Sequence, residues 1–294
     1  MKMNLKNIAP LVFGGLILVS CGGSDGGDKI KGDQLDPTSS LKTAFDGKIF
    51  SVPSPIQMAL LLKETNIAFN QDLLNNTKNI SKYTTEYKQA LNLGIYGADL
   101  GYASINDENS SALNCLSVVE SITDKLGLSG IFDKSFMTRF EKNKTNKDSV
   151  MMIVSEAFRN GDDYLKNEKR KSTSALILTG GWIESIYFAC ELNKVRSSEK
   201  IATRIGEQYQ TISTIIDILG EYNSKGENDE LILQMKDLKV SFDLIKINYV
   251  FVKPVTDAKN KLTILQHTSN VTVDKKVLDQ ISMKVHAIRD SIVN

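Results

Sequence analysis

Two carboxylates stand out by the company they keep. Asp99 lies in Asn92-Leu93-Gly94-Ile95-Tyr96-Gly97-Ala98-Asp99-Leu100, with Tyr102 just beyond, and Glu184 lies in Gly180-Gly181-Trp182-Ile183-Glu184. A carboxyl pair flanked by aromatic rings could act as acid and base in glycoside hydrolysis. Rings at a groove edge could instead stack on a sugar or an apolar ligand. Tyr96, Asp99, Tyr102, Trp182 and Glu184 are therefore the candidate ligand cleft. Their other role would be structural, with the rings as core and the carboxylates hydrogen-bonded or solvated. Glu64 and Glu156 precede them on neighbouring helical segments. Four such carboxylates suggest a di-iron bundle, but that ligand set needs Glu-x-x-His on two helices. The histidines are His267 and His286, and the residues three before them are Ile264 and Met283. No Gly-x-Ser-x-Gly elbow, phosphate-binding loop or Cys-x-x-Cys knuckle is present in the sequence. No catalytic residue, cofactor or metal ligand is assigned.

A thiol offers a different chemistry. Lys2 and Lys6 precede the apolar run Ile8–Val19, which is short for a spanning helix of ~20 residues. The run ends in Leu18-Val19-Ser20-Cys21. These four residues resemble the lipobox of bacterial lipoproteins, in which the Cys thiol accepts diacylglycerol and signal peptidase cuts just before it. The resemblance implies a signal peptide over residues 1–20 and lipidation of Cys21, with palmitate among the acyl chains and a membrane as partner. Two or more acyl chains anchor stably where one does not. Position 22 is Gly rather than the Asp that retains lipoproteins at the inner membrane, which favours the outer membrane. Asp25 and Asp28 loosely resemble acidic surface-export signals, so both the periplasmic face and the cell surface stay open.

Composition narrows the rest. Removing residues 1–20 takes away Lys2 and Lys6 and no acid, leaving 34 Lys+Arg against 35 Asp+Glu. That balance offers no basic excess for nucleic acid. Residues 21–47 are rich in Gly, Asp and Ser and read as a flexible tether. Residues 48–294 are long enough for a single helical domain. No other apolar run reads as long enough to span a bilayer. With Cys21 committed to lipid, Cys115 and Cys190 remain, either paired or as separate buried thiols.

Apolar spacing is helical almost throughout. Ser54-Pro55 marks a first helix, with Met58, Leu62, Phe69 and Leu73 in line. Further helices are expected near 84–104, 111–126, 148–165, 172–193, 201–222, 229–251 and 274–292. The segment 201–222 carries a heptad seam, Ile201, Ile205, Gln208, Ile212, Ile215, Leu219 and Tyr222. Asp148 and Asp274 are candidate caps. Leu262–Gln266 and Val271–Val273 alternate as strands do. The expected fold class is all-α: an antiparallel bundle, or a short tetratricopeptide-like array of helical hairpins, of about eight helices. One small β-hairpin is expected near 262–273.

Two further patterns bear on architecture. Residues 90–103 and 176–189 echo each other at an offset of 86, which aligns Gly94 with Gly180, Tyr96 with Trp182, Leu100 with Ile186 and Ala103 with Ala189. The echo is either a duplicated helical hairpin or chance. Ala90, Gly94, Gly97, Ala98 and Gly101 form a stripe of small residues. Each helical glycine costs ~1 kcal/mol against alanine, so the stripe implies close approach of a helix or space left for a ligand.

The lipobox together with Ser54-Pro55-Ile56, the Asn92–Leu100 segment and Gly180–Glu184 resembles an uncharacterised group of helical outer-membrane lipoproteins from Bacteroidota. The resemblance implies an outer-membrane setting and imports no site. Exported proteins of such bacteria carry O-glycans at Asp-Ser/Thr motifs, and Asp148-Ser149-Val150 and Asp290-Ser291-Ile292 fit that pattern, making Ser149 and Ser291 candidates. Three functions follow in order of support. The first is a non-catalytic lipid-anchored protein that binds or scaffolds an envelope partner. The second is glycan or small-ligand capture for an outer-membrane transporter. The third is a hydrolase using Asp99 or Glu184.

Overall fold

A computed structural model describes residues 41–45, 48–52, 55–64, 66–129, 134–257, 259, 262–264 and 268–294. The expected signal peptide, Cys21 and most of the tether lie outside the described residues, as does His267. The described elements all belong to one compact unit, Leu35–Asn294.

The fold is all-α, as the apolar spacing predicts. The described helices are α1 (Pro55–Lys63), α2 (Glu86–Ile105), α3 (Asn109–Lys125), α4 (Lys134–Asn143), α5 (Lys147–Asn167), α6 (Lys171–Val195), α7 (Glu199–Gly206), α8 (Tyr209–Glu221), α9 (Asp229–Phe242) and α10 (Lys275–Val293). Six short strands accompany them: β1 (Leu41–Phe45), β2 (Lys48–Val52), β3 (Lys246–Val250), β4 (Val255–Asp257), β5 (Leu262–Ile264) and β6 (Thr268–Thr272). They form antiparallel two-stranded ladders, β1 with β2, β3 with β6 and β4 with β5. Side-chain caps start several helices by satisfying free N–H groups. Thr85 accepts from Lys88 N, Asn146 from Ser149 N and Ser198 from Ile201 N.

The centre of the molecule is the pair α2 and α6. Both are apolar around most of their circumference, so each must be enclosed on every side. On one side of α2, Ile95, Ala98 and Tyr102 join a core built with α6 to α10. On the other, Leu93, Tyr96 and Leu100 join a second core built with α3, α4 and α5. By length and composition α6 could cross a membrane, a run that the sequence reading passed over. Yet 83% of its apolar window is buried inside the domain, which makes it a core helix here.

The small-residue stripe explains how two such helices approach. A Cβ on Gly94 would lie 2.0 Å from the Ile177 carbonyl oxygen, and one on Gly180 would lie 2.0 Å from that of Leu91. The offset of 86 carries Leu91 onto Ile177 and Gly94 onto Gly180, so the two contacts are reciprocal. The echoing segments therefore cross each other about a local two-fold relation. Gly97 has a different neighbour: its Cβ would fall 2.2 Å from Cζ of Phe158, an α5 ring that fills the slot. At all three glycines the space belongs to the protein's own atoms.

Several boundaries differ from the sequence reading. The first helix stops at Lys63, and the chain continues through Asn66 at φ 53° into two 3-10 turns, Gln71–Leu73 and Thr77–Lys82. The heptad segment keeps its buried seam but breaks between α7 and α8. At the break Gln208 turns inward to accept from Trp182 Nε1 at 3.2 Å, and Gly206 packs beneath Val271 and Val273. The segment 229–251 is helical only to Phe242, because its β-branched and aromatic end, Lys246–Val250, pairs as a strand with Thr268–Thr272. The strands expected near 262–273 are present, each paired with an upstream partner. Asn146 rather than Asp148 caps α5, and Asp274 stands at the N-cap of α10 without a side-chain cap bond.

Candidate functional site

The crossing at Gly94 and Gly180 decides where the two candidate acids lie. Asp99 follows Gly94 by just over one turn of α2, and Glu184 follows Gly180 by about one turn of α6. Both carboxyls have no exposure, and each is among the other's principal electrostatic neighbours. The third member comes from α10. Arg289 Nε donates to Glu184 Oε2 at 2.6 Å and its Nη2 donates to Oε1 at 2.8 Å. Nη2 also donates to the Leu73 carbonyl at 3.1 Å. The guanidinium lies 4.1 Å from the centroid of the Tyr187 ring. Two parallel hydrogen bonds and a ring face suit the planar guanidinium in a way lysine could not copy.

Polar side chains close the cluster. Asp99 Oδ2 accepts from Asn75 N at 3.1 Å. Asn75 Nδ2 donates to Tyr83 Oη at 3.0 Å and to Asn92 Oδ1 at 3.3 Å. Tyr83 Oη and Asn92 Nδ2 then donate to the carbonyls of Val293 and Ile292, at 3.2 and 3.0 Å. These are carbonyls at the end of α10, which lack partners within their own helix. The network therefore fastens α10 to α2 and α6 at both its guanidinium and its last turn.

Charge and hydrogen bonding assign the protons. One cation faces two enclosed carboxyls, so the cluster is neutral when one carboxyl stays protonated. Burial, followed by repulsion from Glu184, holds Asp99 well above the usual carboxylate range. Burial also raises Glu184, but Arg289 and a hydrogen bond from Asp99 pull it back. Asp99 Oδ1 has no donor among the surrounding groups. An O–H on neutral Asp99 that donates to Glu184 resolves that orphan. Glu184 is the carboxyl that Arg289 holds, so burial and the nearby Glu184 favour the proton on Asp99.

The five residues expected to line a ligand cleft are enclosed rather than set around an opening. Tyr96, Asp99 and Glu184 are at 0% exposure, and Tyr102 and Trp182 at 2%. Tyr96 Oη donates to the Asn76 carbonyl at 2.8 Å, and burial pushes its hydroxyl pKa up. Tyr102 stacks on Phe188 at 4.6 Å between centroids and accepts from Asn70 N at 3.3 Å. Trp182 faces Phe242 and sits apart from the carboxyl cluster, tied to Gln208. A small depression of 270 Å³ has Phe69, Asn70, Leu73, Leu192 and Glu191 among its walls, and of these Phe69 and Asn70 contact Tyr102.

The other carboxylates are scattered. Glu64 pairs with Lys200, and Glu156 with Arg139 at 2.7 Å. Among the described residues no group of three or more His, Cys, Asp or Glu is placed to hold a metal ion. Cys115 and Cys190 are separate, buried and unpaired, and burial pushes the Cys190 thiol up to about 12. Ser149 lies in the first turn of α5, half-buried, and exposed Ser291 donates to the Ile288 carbonyl at 2.7 Å.

The sequence reading missed Arg289 and Asn75, and it assigned no polar role to Asn92 or to Gln208 in the heptad seam. A signal for Arg289 was present. It follows Val285 by one turn and precedes Ile292 by three residues, so it interrupts the buried stripe of α10. A charged residue in such a stripe needs a buried partner. Nothing comparable marks Asn75, which precedes a short 3-10 turn. Comparison of the chain with protein-family models, with curated proteins and with solved structures returned no match.

Proposed function

We propose that this chain is a lipid-anchored, non-catalytic envelope protein whose helical domain binds or scaffolds a protein partner. The observation that carries this reading is the sealed Asp99–Glu184–Arg289 cluster. The strongest candidates for acid–base chemistry are held inside the domain, Glu184 by the Arg289 guanidinium and Asp99 by Asn75 N. A general acid or base must reach the proton it transfers in a bound substrate, and these groups are closed off from any opening. The lipobox-like Leu18-Val19-Ser20-Cys21 supplies the anchor in this reading, and Gly22 favours the outer membrane. The resemblance to helical lipoproteins of Bacteroidota accords with that placement.

Metabolic labelling with palmitate tests the anchor. The full chain should take up label and partition into the outer-membrane fraction, and Cys21→Ser should abolish both. An unlabelled wild-type chain would defeat the anchor. Cross-linking in intact cells followed by pull-down tests the partner. A chain that returns no protein above background would defeat the scaffold.

A further inference from the structure

An arm of β-structure leaves the helical body after α9. It runs out along β3, passes Phe251–Pro254 to β4, turns, and returns along β5 and β6. The base is well held. Ile247, Val271 and Val273 pack on the core, and Val271 and Val273 close over Gly206. Beyond the base the chemistry changes. Tyr249, Val250, Phe251, Val252, Val255, Leu262 and Ile264 are all exposed, Phe251 at 69%. Half of the large exposed apolar side chains among the described residues thus lie in sixteen positions, 249–264. Such a patch marks a surface that is covered in use.

The pattern discriminates between occupants. Tyr249 and Val250 are consecutive in a strand, so they point to opposite faces of the ribbon. A protein groove or an added strand covers one face and one edge. Pro254 and the three-residue length of β4 and β5 also blunt the edges against strand addition. An interfacial lipid layer meets both faces at the β3 end, and in the outer ladder Val255, Leu262 and Ile264 share one face with Thr256 and Thr263 on the other, as suits a ribbon lying in an interface. The charges fit that occupant. Positions 249–264 hold Lys253, Lys259 and Lys261 against Asp257, on a chain whose net charge is only +1. Lys253 and Lys259 are exposed. Lysines beside tyrosine, phenylalanine and aliphatic residues suit the anionic headgroup zone, where their stems lie along apolar groups and their ammonium groups meet phosphate.

We infer that the 249–264 arm is a second membrane contact, which inserts its apolar residues into the interface of an anionic bilayer. This goes beyond the lipid anchor and does not depend on it. An anchored chain would be held at one end by acyl chains and oriented by the arm.

The full chain carrying Phe251→Trp tests this, because Trp182 is the only native tryptophan and is buried. The variant is mixed with phosphatidylglycerol–phosphatidylethanolamine vesicles that carry brominated acyl chains. The expected result is a blue shift and bromine quenching of the new indole, both reduced by high salt. In a Cys21→Ser background, Lys253→Gln with Lys259→Gln should weaken partitioning about 30-fold, since each lysine near an anionic surface contributes about five-fold. Flotation of the same samples reports separately on the anchor. A chain that floats while the indole stays solvent-exposed and unquenched overturns the arm and leaves the anchor intact. A blue shift without vesicles that grows with protein concentration also overturns it, by showing that a second copy covers the arm.

Discussion

Arg289 holds Glu184 with two parallel hydrogen bonds, Nε to Oε2 at 2.6 Å and Nη2 to Oε1 at 2.8 Å, where Glu184 has no contact with solvent. Removing one member of such a pair leaves the other charged and unpaired. Arg289→Met should therefore cost about 3–5 kcal/mol in urea unfolding. Adding Glu184→Gln to that variant removes the stranded charge and should recover a large part of the loss. A single variant as stable as wild type would show that the pair carries no such weight.

Asp99 gives the cluster a pH signature. Its carboxyl titrates above the usual range, through burial first and Glu184 second. The folded chain thus holds this proton more tightly than the unfolded chain does. The resulting stability is complete below the ordinary carboxylate pKa and is lost as pH rises through the raised value. Glu184 is shifted in the same direction. Asp99→Asn stays neutral at all pH, so thermal unfolding of wild type should fall away from that of the variant toward alkaline pH. Parallel curves from acid to alkaline pH would mean that Asp99 is not the protonated member.

The helix crossing can be tested with alanine at two glycines. Gly94→Ala drives a Cβ to within 2.0 Å of a backbone oxygen, which no rotamer change can relieve. Overpacking of this kind costs about 1–3 kcal/mol or more. Gly220, within α8, meets nothing within 4 Å. Gly220→Ala should leave stability unchanged or raise it by up to ~1 kcal/mol. Chemical unfolding of both variants checks the contrast, and equal effects would dissolve the close approach of α2 and α6.

The two thiols provide a measure of core integrity. Cys115 and Cys190 are each 2% exposed, and burial raises the pKa of both. The thiolate is the reactive form, so an aromatic disulfide reagent should modify neither until the chain unfolds. In a Cys21→Ser background, two thiols should then appear in denaturant without reductant. Their absence would mean that the two cysteines are oxidised together, against the unpaired arrangement seen here.

The sequence by itself determined the helical class and most of the core. Apolar spacing recurs every three to four residues, and the side chains it selects, such as Ile201, Ile205, Ile212, Ile215 and Leu219, are the buried ones. Local chemistry also marked the small-residue stripe and the echo between 90–103 and 176–189. Tertiary structure alone decided what these features do. The helical period at 201–222 carries no information about a break that depends on Gln208 reaching Trp182. The helical spacing at 229–251 cannot reveal that Lys246–Val250 will find Thr268–Thr272 and become a strand. Above all, Asp99 and Glu184 look the same in sequence whether they line a cleft or fill a core. Their role was set by Arg289, 105 residues beyond Glu184, arriving at hydrogen-bonding distance. Burial makes an unpaired charge costly and a paired one tolerable, and only the packed chain shows which partner arrives.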